Sequence, residues 1–280
     1  MEQVLQQFCL DGTPVSCEPL GNGHINRTFR VMCSSGKAYT LQRINRVAFH
    51  HPEELIENID AVSRFIARKN IGLETIRLCP ARDGRKFTVD AQGEYWRAYD
   101  FISGGLSLEA PRDRNDFYQA AVAFGKFQQA LADFPAATLH ETIPHFHDTE
   151  DRLRQLRASV EADACGRARE AGPELDFIFS REQELGTLCR MQRSGALPLR
   201  VTHNDTKLNN VLLDEKQAGP DASSISIPSC RASRPATLET PCASARPRRR
   251  RMKQTCRRSS CGSTCTGPLL RAISTPADMR

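Results

Sequence analysis

From residue 15 to residue 102 the apolar residues of this chain recur at strand spacing around Gly-rich turns, apart from one helical stretch, and beyond Ser103-Gly104-Gly105 they recur mostly at helical spacing. Val15–Leu20 leads into Gly21-Asn22-Gly23-His24. Thr28–Met32, a Ser34-Ser35-Gly36 turn and Ala38–Ile44 follow, the pattern of an antiparallel hairpin sheet. Pro52–Ile66 carries Leu55, Ile59, Val62 and Phe65 or Ile66 at helical spacing, with Glu53 and Glu54 in the first turn, where they suit the helix dipole. Leu73–Leu78, Lys86–Val89 and Glu94–Ile102 read as three further strands. Past the Ser-Gly-Gly hinge, Asp116–Phe134 predicts a long amphipathic helix with Phe117, Ala121, Phe124, Phe127 and Leu131 on one side. Asp151–Glu161 and Glu174–Met191 also read as helices, and Leu199–Thr202 as a short strand. Strands with one helix, then mostly helices, predict a two-lobed α+β fold, with 1–102 as one lobe and 103–218 as the other.

No run of about 18 apolar residues occurs, which argues against a helical membrane span. The N-terminus has neither a basic nor an apolar signal region, so a cytoplasmic location is expected. Charge is unevenly spread. Of the 39 Lys+Arg and 33 Asp+Glu, 12 and 3 fall from Pro220 onward, which leaves residues 1–219 with 27 and 30 and a net of −3. The basic character therefore belongs to the tail. Cys9, Cys17, Cys33, Cys79, Cys165 and Cys189 have no repeated short spacing and read as reduced, mostly buried thiols.

The polar stretch Val201-Thr202-His203-Asn204-Asp205-Thr206-Lys207-Leu208-Asn209-Asn210-Val211 carries the most chemistry. His203, Asp205 and Asn210 fit H-x-D-x-x-x-x-N, the spacing of a kinase catalytic loop. Phosphoryl transfer needs a carboxylate that orients the attacking hydroxyl and accepts its proton, and an oxygen ligand for the metal that screens the phosphates. Asp205 suits the first task and Asn210 the second. His203 would support the loop, and Lys207 would offset charge developing on the transferring group. The competing reading is an Asn/Asp-rich surface turn between strands. Apolar runs on both sides, Leu197-Pro198-Leu199 and Val211-Leu212-Leu213, favour a polar loop on a buried support. Gly21, Asn22 and Gly23, between two strands some 180 residues earlier, would let backbone N–H groups approach a phosphate.

Six segments run in one order with a known family: G-N-G-H-I-N-R-T-F (21–29), L-Q-R-I-N (41–45), H-P-E-E-L-I-E-N-I (51–59), Y-W-R-A-Y-D-F-I (95–102), I-P-H-F-H-D-T (143–149) and the polar loop. Across residues 11–214 the chain resembles the aminoglycoside phosphotransferase/choline kinase superfamily, and within it the N-acetylhexosamine 1-kinase-like branch. The resemblance implies a protein-kinase-like fold whose C-terminal lobe is here incomplete. It implies ATP and Mg²⁺ as cofactors, and a monomer acting on a small-molecule acceptor, an N-acetylhexosamine, with no nucleic-acid or membrane partner. Choline, an aminoglycoside or an amino-acid derivative is the alternative acceptor, and a nonfunctional truncated product the alternative outcome. Tyr99, Phe101 and Ile102 would form the adenine-holding hinge, and His147, Asp148 and Thr149 would lie near the acceptor.

Two assignments stay open. A kinase sets a basic residue on its third strand against the phosphates and a helix Glu. Arg43 or Gln42 occupies that neighbourhood, with Glu57 or Glu54 as partner, and an exposed edge-strand Arg43 is the rival reading. Asp148 or Thr149 would equally serve as the N-cap of the following helix.

After Asp214 the family pattern calls for a strand with a metal-binding aspartate. The chain instead becomes Arg- and Ser-rich, with Arg248–Arg251, five cysteines and no tyrosine or tryptophan. Read literally, 219–280 is a disordered basic tail. Arg248–Arg251 would suit phosphates, while Cys256, Cys261 and Cys265 lack a fourth ligand and finger spacing for zinc. A change of reading frame explains the segment better. If each new codon takes the third base of one residue's codon and the first two of the next, Ser223–Ser233 can be read V-D-L-D-T-V-M-P-G-L. Ala236–Pro241 can be read D-F-G-D-A, and Pro241–Gln254 V-R-F-G-A-S-T-A-A-E-D-E-A. These resemble the family's metal-binding strand and the segment after it, which places the slip between Gln217 and Asp221.

Overall fold

A short helix α1 (Glu2–Leu5) precedes a five-stranded antiparallel sheet made of β1 (Pro14–Pro19), β2 (Arg27–Cys33), β3 (Ala38–Arg43), β5 (Thr88–Val89) and β6 (Tyr95–Asp100), in the order β1-β2-β3-β6-β5. The computed structural model describes residues 1–21, 26–214 and 225–227. The two faces of the sheet serve different cores because successive side chains point to opposite sides. Phe29, Val31, Tyr39, Leu41, Trp96 and Ala98 pack with Val4, Leu5 and Phe8 around α1. On the opposite face, Ile44 and Tyr99 join the larger core.

Helix α2 (Pro52–Lys69) closes that larger core with Leu55, Ile56, Ile59, Val62 and Ile66, the face its periodicity predicts. Glu53 and Glu54 in its first turn and Arg68 and Lys69 in its last oppose the helix dipole, and Asn70 ends it in a left-handed conformation. Helix α3 (Arg114–Ala130) turns Ala120, Ala123, Phe124 and Phe127 into the same core. The expected face differs at its start: Phe117 is exposed, and burial runs from Asp116 through Gln119 and Ala120.

The second sheet has the order β4-β9-β8-β7, built from β4 (Leu73–Thr75), β7 (Gly105–Ser107), β8 (Leu212–Asp214) and β9 (Ile225–Ile227). β4 runs parallel to β9, and the other pairs are antiparallel. Two expectations change here. Gly105 lies within β7, paired with Asp214, rather than in an open hinge. Residues 225–227 form a strand inside the segment expected to lack structure, whose remaining residues lie outside the described set.

The chain divides at other places than residue 103. Met1–Phe146 packs with the described residues from Leu197 onward, and His147–Ala196 forms a second unit. That second unit holds α4 (Thr149–Ala162), α5 (Gly172–Phe179), α6 (Glu182–Leu185) and α7 (Thr187–Arg193). The single helix expected over 174–191 is thus three. Gly186 lies at a break where an added Cβ would meet Glu150 and Arg190 at 2.6 and 2.5 Å. Leu199–Thr202 is not a strand. No described helix is long and apolar enough to cross a membrane.

Candidate active site

Val201, Leu208, Val211 and Leu213 are buried in the core shared with α2 and α3, so the polar loop lies over an apolar floor. Asn204 turns the chain with φ of 60°, a left-handed conformation that Asn adopts more readily than most residues. Thr202 Oγ1 donates to Asn204 Oδ1 at 2.5 Å. Leu208–Asn210 forms one 3₁₀ turn. Its approach is fixed by bonds from Lys207 N to Asp205 O (2.9 Å) and from Asn210 N to Lys207 O (3.0 Å). Asn210 Nδ2 donates to the Asp205 carbonyl at 2.8 Å. The structure therefore brings Asp205 and Asn210 together, and it adds Lys207, whose Nζ lies 3.2 Å from Asp205 Oδ1. The Asp205 side chain is 20% exposed and that of Lys207 67%, so the carboxylate sits in a partly sheltered position and the ammonium in water.

His203 is 3% exposed. Its ring meets Phe124 and Phe127 edge-on at centroid distances of 5.4 and 5.8 Å, which anchors the loop to α3. Beside it Phe124, Phe127, Gln128, Thr202, Asn204 and Thr206 enclose about 20 Å³, roughly one water's room. Ser107 Oγ donates to the Asn209 carbonyl at 3.1 Å and ties the loop to β7.

Around the first sheet the expected residues separate. Gly21 has φ of 68° with open space where a Cβ would stand, and Asn22 and Gly23 lie outside the described residues. On either side of them, Leu20 N donates to Thr28 O and Asn45 N donates to Asn26 Oδ1, each at 2.9 Å. Arg43 pairs across the strands with Trp96, on the sheet face that packs toward α1. Gln42 is on the other face. Its Oε1 accepts from Arg97 Nε and Nη2 at 3.0 and 2.6 Å, and its Nε2 donates to Thr28 Oγ1 at 2.9 Å. Arg97 was not singled out from the sequence, because a buried guanidinium inside a strand has no signature until the strand register is known. Glu57 is no partner for β3: its Oε2 lies 2.9 Å from His140 Nε2, while Asn58 and the His140 backbone exchange two hydrogen bonds.

The expected adenine-holding hinge begins at a buried residue. Tyr99 packs in the larger core, and burial pushes its hydroxyl up in pKa against the opposing influence of Arg97 and a bond with Thr40. Phe101 and Ile102 follow the strand half-buried. Phe101 N donates to Ala38 O at 3.1 Å, and the Arg30 guanidinium lies 4.8 Å from the Phe101 ring centroid. In the second unit, His147 has φ of 63°, and Asp148 caps α4 by accepting from Asp151 N at 2.9 Å. The helix-cap reading of Asp148 is thus realised, with Thr149 as the first helical residue.

A divalent cation such as Mg²⁺ takes about six oxygen ligands. Among the described residues no group of three His, Cys, Asp or Glu could hold a metal. With its Nδ2 committed to Asp205, Asn210 offers one amide oxygen. The described residues alone do not make up such a site.

Residues 16–220 match the family model described as the phosphotransferase enzyme family. Among solved structures, the fold is similar to an aminoglycoside phosphotransferase from Alicyclobacillus acidocaldarius (TM-score 0.52, 12% identity), over 81% of this chain and 64% of that one. It is similar to an amicoumacin kinase in complex with AMP-PNP, Ca²⁺ and Ami (TM-score 0.52, 13% identity), over 79% of this chain and 60% of that one. A microcompartment-associated aminopropanol kinase gives a TM-score of 0.51 at 18% identity, over 81% of this chain and 67% of that one. The chain spans less than two thirds of the first two structures' length.

Proposed function

Because the chain belongs to the phosphotransferase enzyme family, we propose that it is built to transfer the γ-phosphoryl group of ATP to a hydroxyl of a small molecule. The observation that carries this reading is the loop in which Asn210 ties down the Asp205 backbone while the Asp205 carboxylate remains partly open, beside the Lys207 ammonium. In the proposed reaction Asp205 accepts the proton of the acceptor hydroxyl as its oxygen bonds to the γ-phosphorus, and the bond to the ADP oxygen breaks. Lys207 offsets charge on the transferring group. A bound divalent ion would screen the phosphates, and the AMP-PNP and Ca²⁺ of the amicoumacin kinase support nucleotide and metal use. For the acceptor we favour the anomeric hydroxyl of an N-acetylhexosamine, on the strength of the motif segments at 21–29 and 143–149. The names of the similar structures keep amino alcohols and aminoglycosides as the second class.

Among the described residues a part this chemistry needs, a second carboxylate for the metal, is not found beside the loop. β9, paired with β8 just after the loop, carries Ile-Ser-Ile and no carboxylate. In the shifted frame the codons around Ser223–Ile227 can be read as V-D-L-D, a reading that would set aspartates in the place of that strand. The protein as written is therefore proposed to be inactive, and the frame-corrected one active. The test compares ADP release by the two with N-acetylglucosamine, N-acetylgalactosamine, choline and an aminoglycoside as acceptors. Sugar-dependent turnover from the corrected protein alone is expected, and equal activity from both would overturn the frame argument.

A further inference from the structure

We propose that Arg97, oriented by Gln42, is the cation that receives the nucleotide's phosphates, a task that kinases give to a basic residue of the third strand. The proposal rests on the nucleotide reading above and names the group that would carry it.

Three observations converge on this residue. The first is register. Thr28 of β2 stands opposite Gln42 of β3, and Gln42 opposite Arg97 of β6, so the three form one row across neighbouring strands. Hydrogen bonds run along the row, from Gln42 Nε2 to Thr28 Oγ1 and from two guanidinium nitrogens of Arg97 to Gln42 Oε1. The second is position. Strand alternation puts the row on the same sheet face as Ile44 and Tyr99. Both of these pack in the core that also buries Leu208 and Val211, the residues beneath the Asp205 loop. The row also starts on β2 at Thr28, whose carbonyl accepts from Leu20 N, next to Gly21 in the chain. Arg43 belongs to the opposite face with Trp96.

The third is chemistry. Gln42 is the β3 residue of this row, and a neutral amide cannot neutralise a polyphosphate. It can hold a guanidinium, because Oε1 accepts from Nε and Nη2 together and fixes the plane of the group. Arg97 is 5% exposed. A charge held that far from water acts on phosphates more strongly than a solvated one. Arginine is suited to this because it stays protonated when buried and presents a planar fork to phosphate oxygens. The division of labour is thus a charge on β6 and its holder on β3.

The test is calorimetric titration of the full chain with ATP and, separately, with adenosine. The wild-type chain is expected to bind ATP more tightly than adenosine. Arg97→Met should lose roughly 10- to 100-fold in ATP affinity, the worth of one or two charge-assisted hydrogen bonds, while adenosine affinity stays. Arg97→Lys should recover part of the loss. Should Arg97→Met fail to fold, Gln42→Leu carries the test, since it removes the oriented acceptor and must weaken ATP but not adenosine. ATP affinity kept in these variants, or lost in Arg43→Met instead, overturns the proposal. Wild-type chain that binds adenosine and ATP equally also overturns it. Wild-type chain that binds neither overturns the nucleotide reading itself, and the role of Arg97 with it.

Discussion

The side-chain amide of Asn210 donates to the backbone carbonyl of Asp205 at 2.8 Å, which makes the two ends of the polar loop one mechanical unit. The bond fixes the Asp205 main chain while leaving its carboxylate to face a partner. Asn210→Ala should therefore cost about 1 kcal/mol of stability, the usual net worth of one such bond. In the frame-corrected protein it should also lower kcat more than it raises KM. Chemical denaturation and steady-state kinetics check the two effects, and a variant normal in both would mean that the bond does not organise the loop.

His203 anchors the loop from below, between the rings of Phe124 and Phe127. His203→Ala leaves a hole beneath Asp205 and should destabilise the protein by about 2–4 kcal/mol, as other large-to-small core changes do. A double-mutant cycle with Phe124→Ala should give a non-additive total, because the two side chains share one contact. Strict additivity would place His203 elsewhere.

Asp116 provides a pH signature for the packing of α3. It accepts from Arg112 N, Nε and Nη2 at 2.8 to 2.9 Å and is capped by Asp113. The Arg112 side chain holds its carboxyl down from the ordinary 3.8 to about 2. A depressed carboxyl stabilises the fold above its unfolded value and loses that contribution as pH falls through the folded one. The stability gap between the wild type and Asp116→Asn should therefore be full at neutral pH and shrink as pH drops from 3.8 toward about 2. Urea titrations across that range measure it, and a gap independent of pH would exclude the ion pair as its source.

Gly105 is constrained by close approach. A Cβ there would stand 2.9 Å from Leu212 Cβ across the β7–β8 pair. Gly105→Val should cost roughly 1–3 kcal/mol, as overpacking does, and should loosen the polar loop that Ser107 of β7 holds at Asn209. A melting temperature unchanged from wild type would show that the strands separate without penalty.

Much of this was legible in the sequence where a single element decides the outcome. Leu55, Ile59, Val62 and Ile66 mark the buried face of α2 because a helix repeats every 3.6 residues. The apolar run after the polar loop declared its support in Val211 and Leu213, whereas Leu197-Pro198-Leu199 before it stays half-buried to exposed and Val201 enters the core instead. The failures occur where distant parts of the chain choose. Phe117 has the right spacing for the α3 core, but what packs on that helix starts at Ala120, so its ring stays exposed. Arg97 and Gln42 become a pair only through the β3–β6 register. Gly105 looks like a hinge until Leu212 lies across it.

The most direct measurement is ADP release by the frame-corrected protein and its Asp205→Asn variant, with N-acetylglucosamine as acceptor and ATP binding followed in parallel. A carboxylate that takes the acceptor's proton contributes about 10²–10⁴ in rate. kcat should fall by about that factor or more in the variant while ATP affinity stays within about twofold. Turnover near the corrected protein's own value, with the same ATP affinity, would contradict the assignment of Asp205 as the catalytic base and with it the proposed chemistry of the loop.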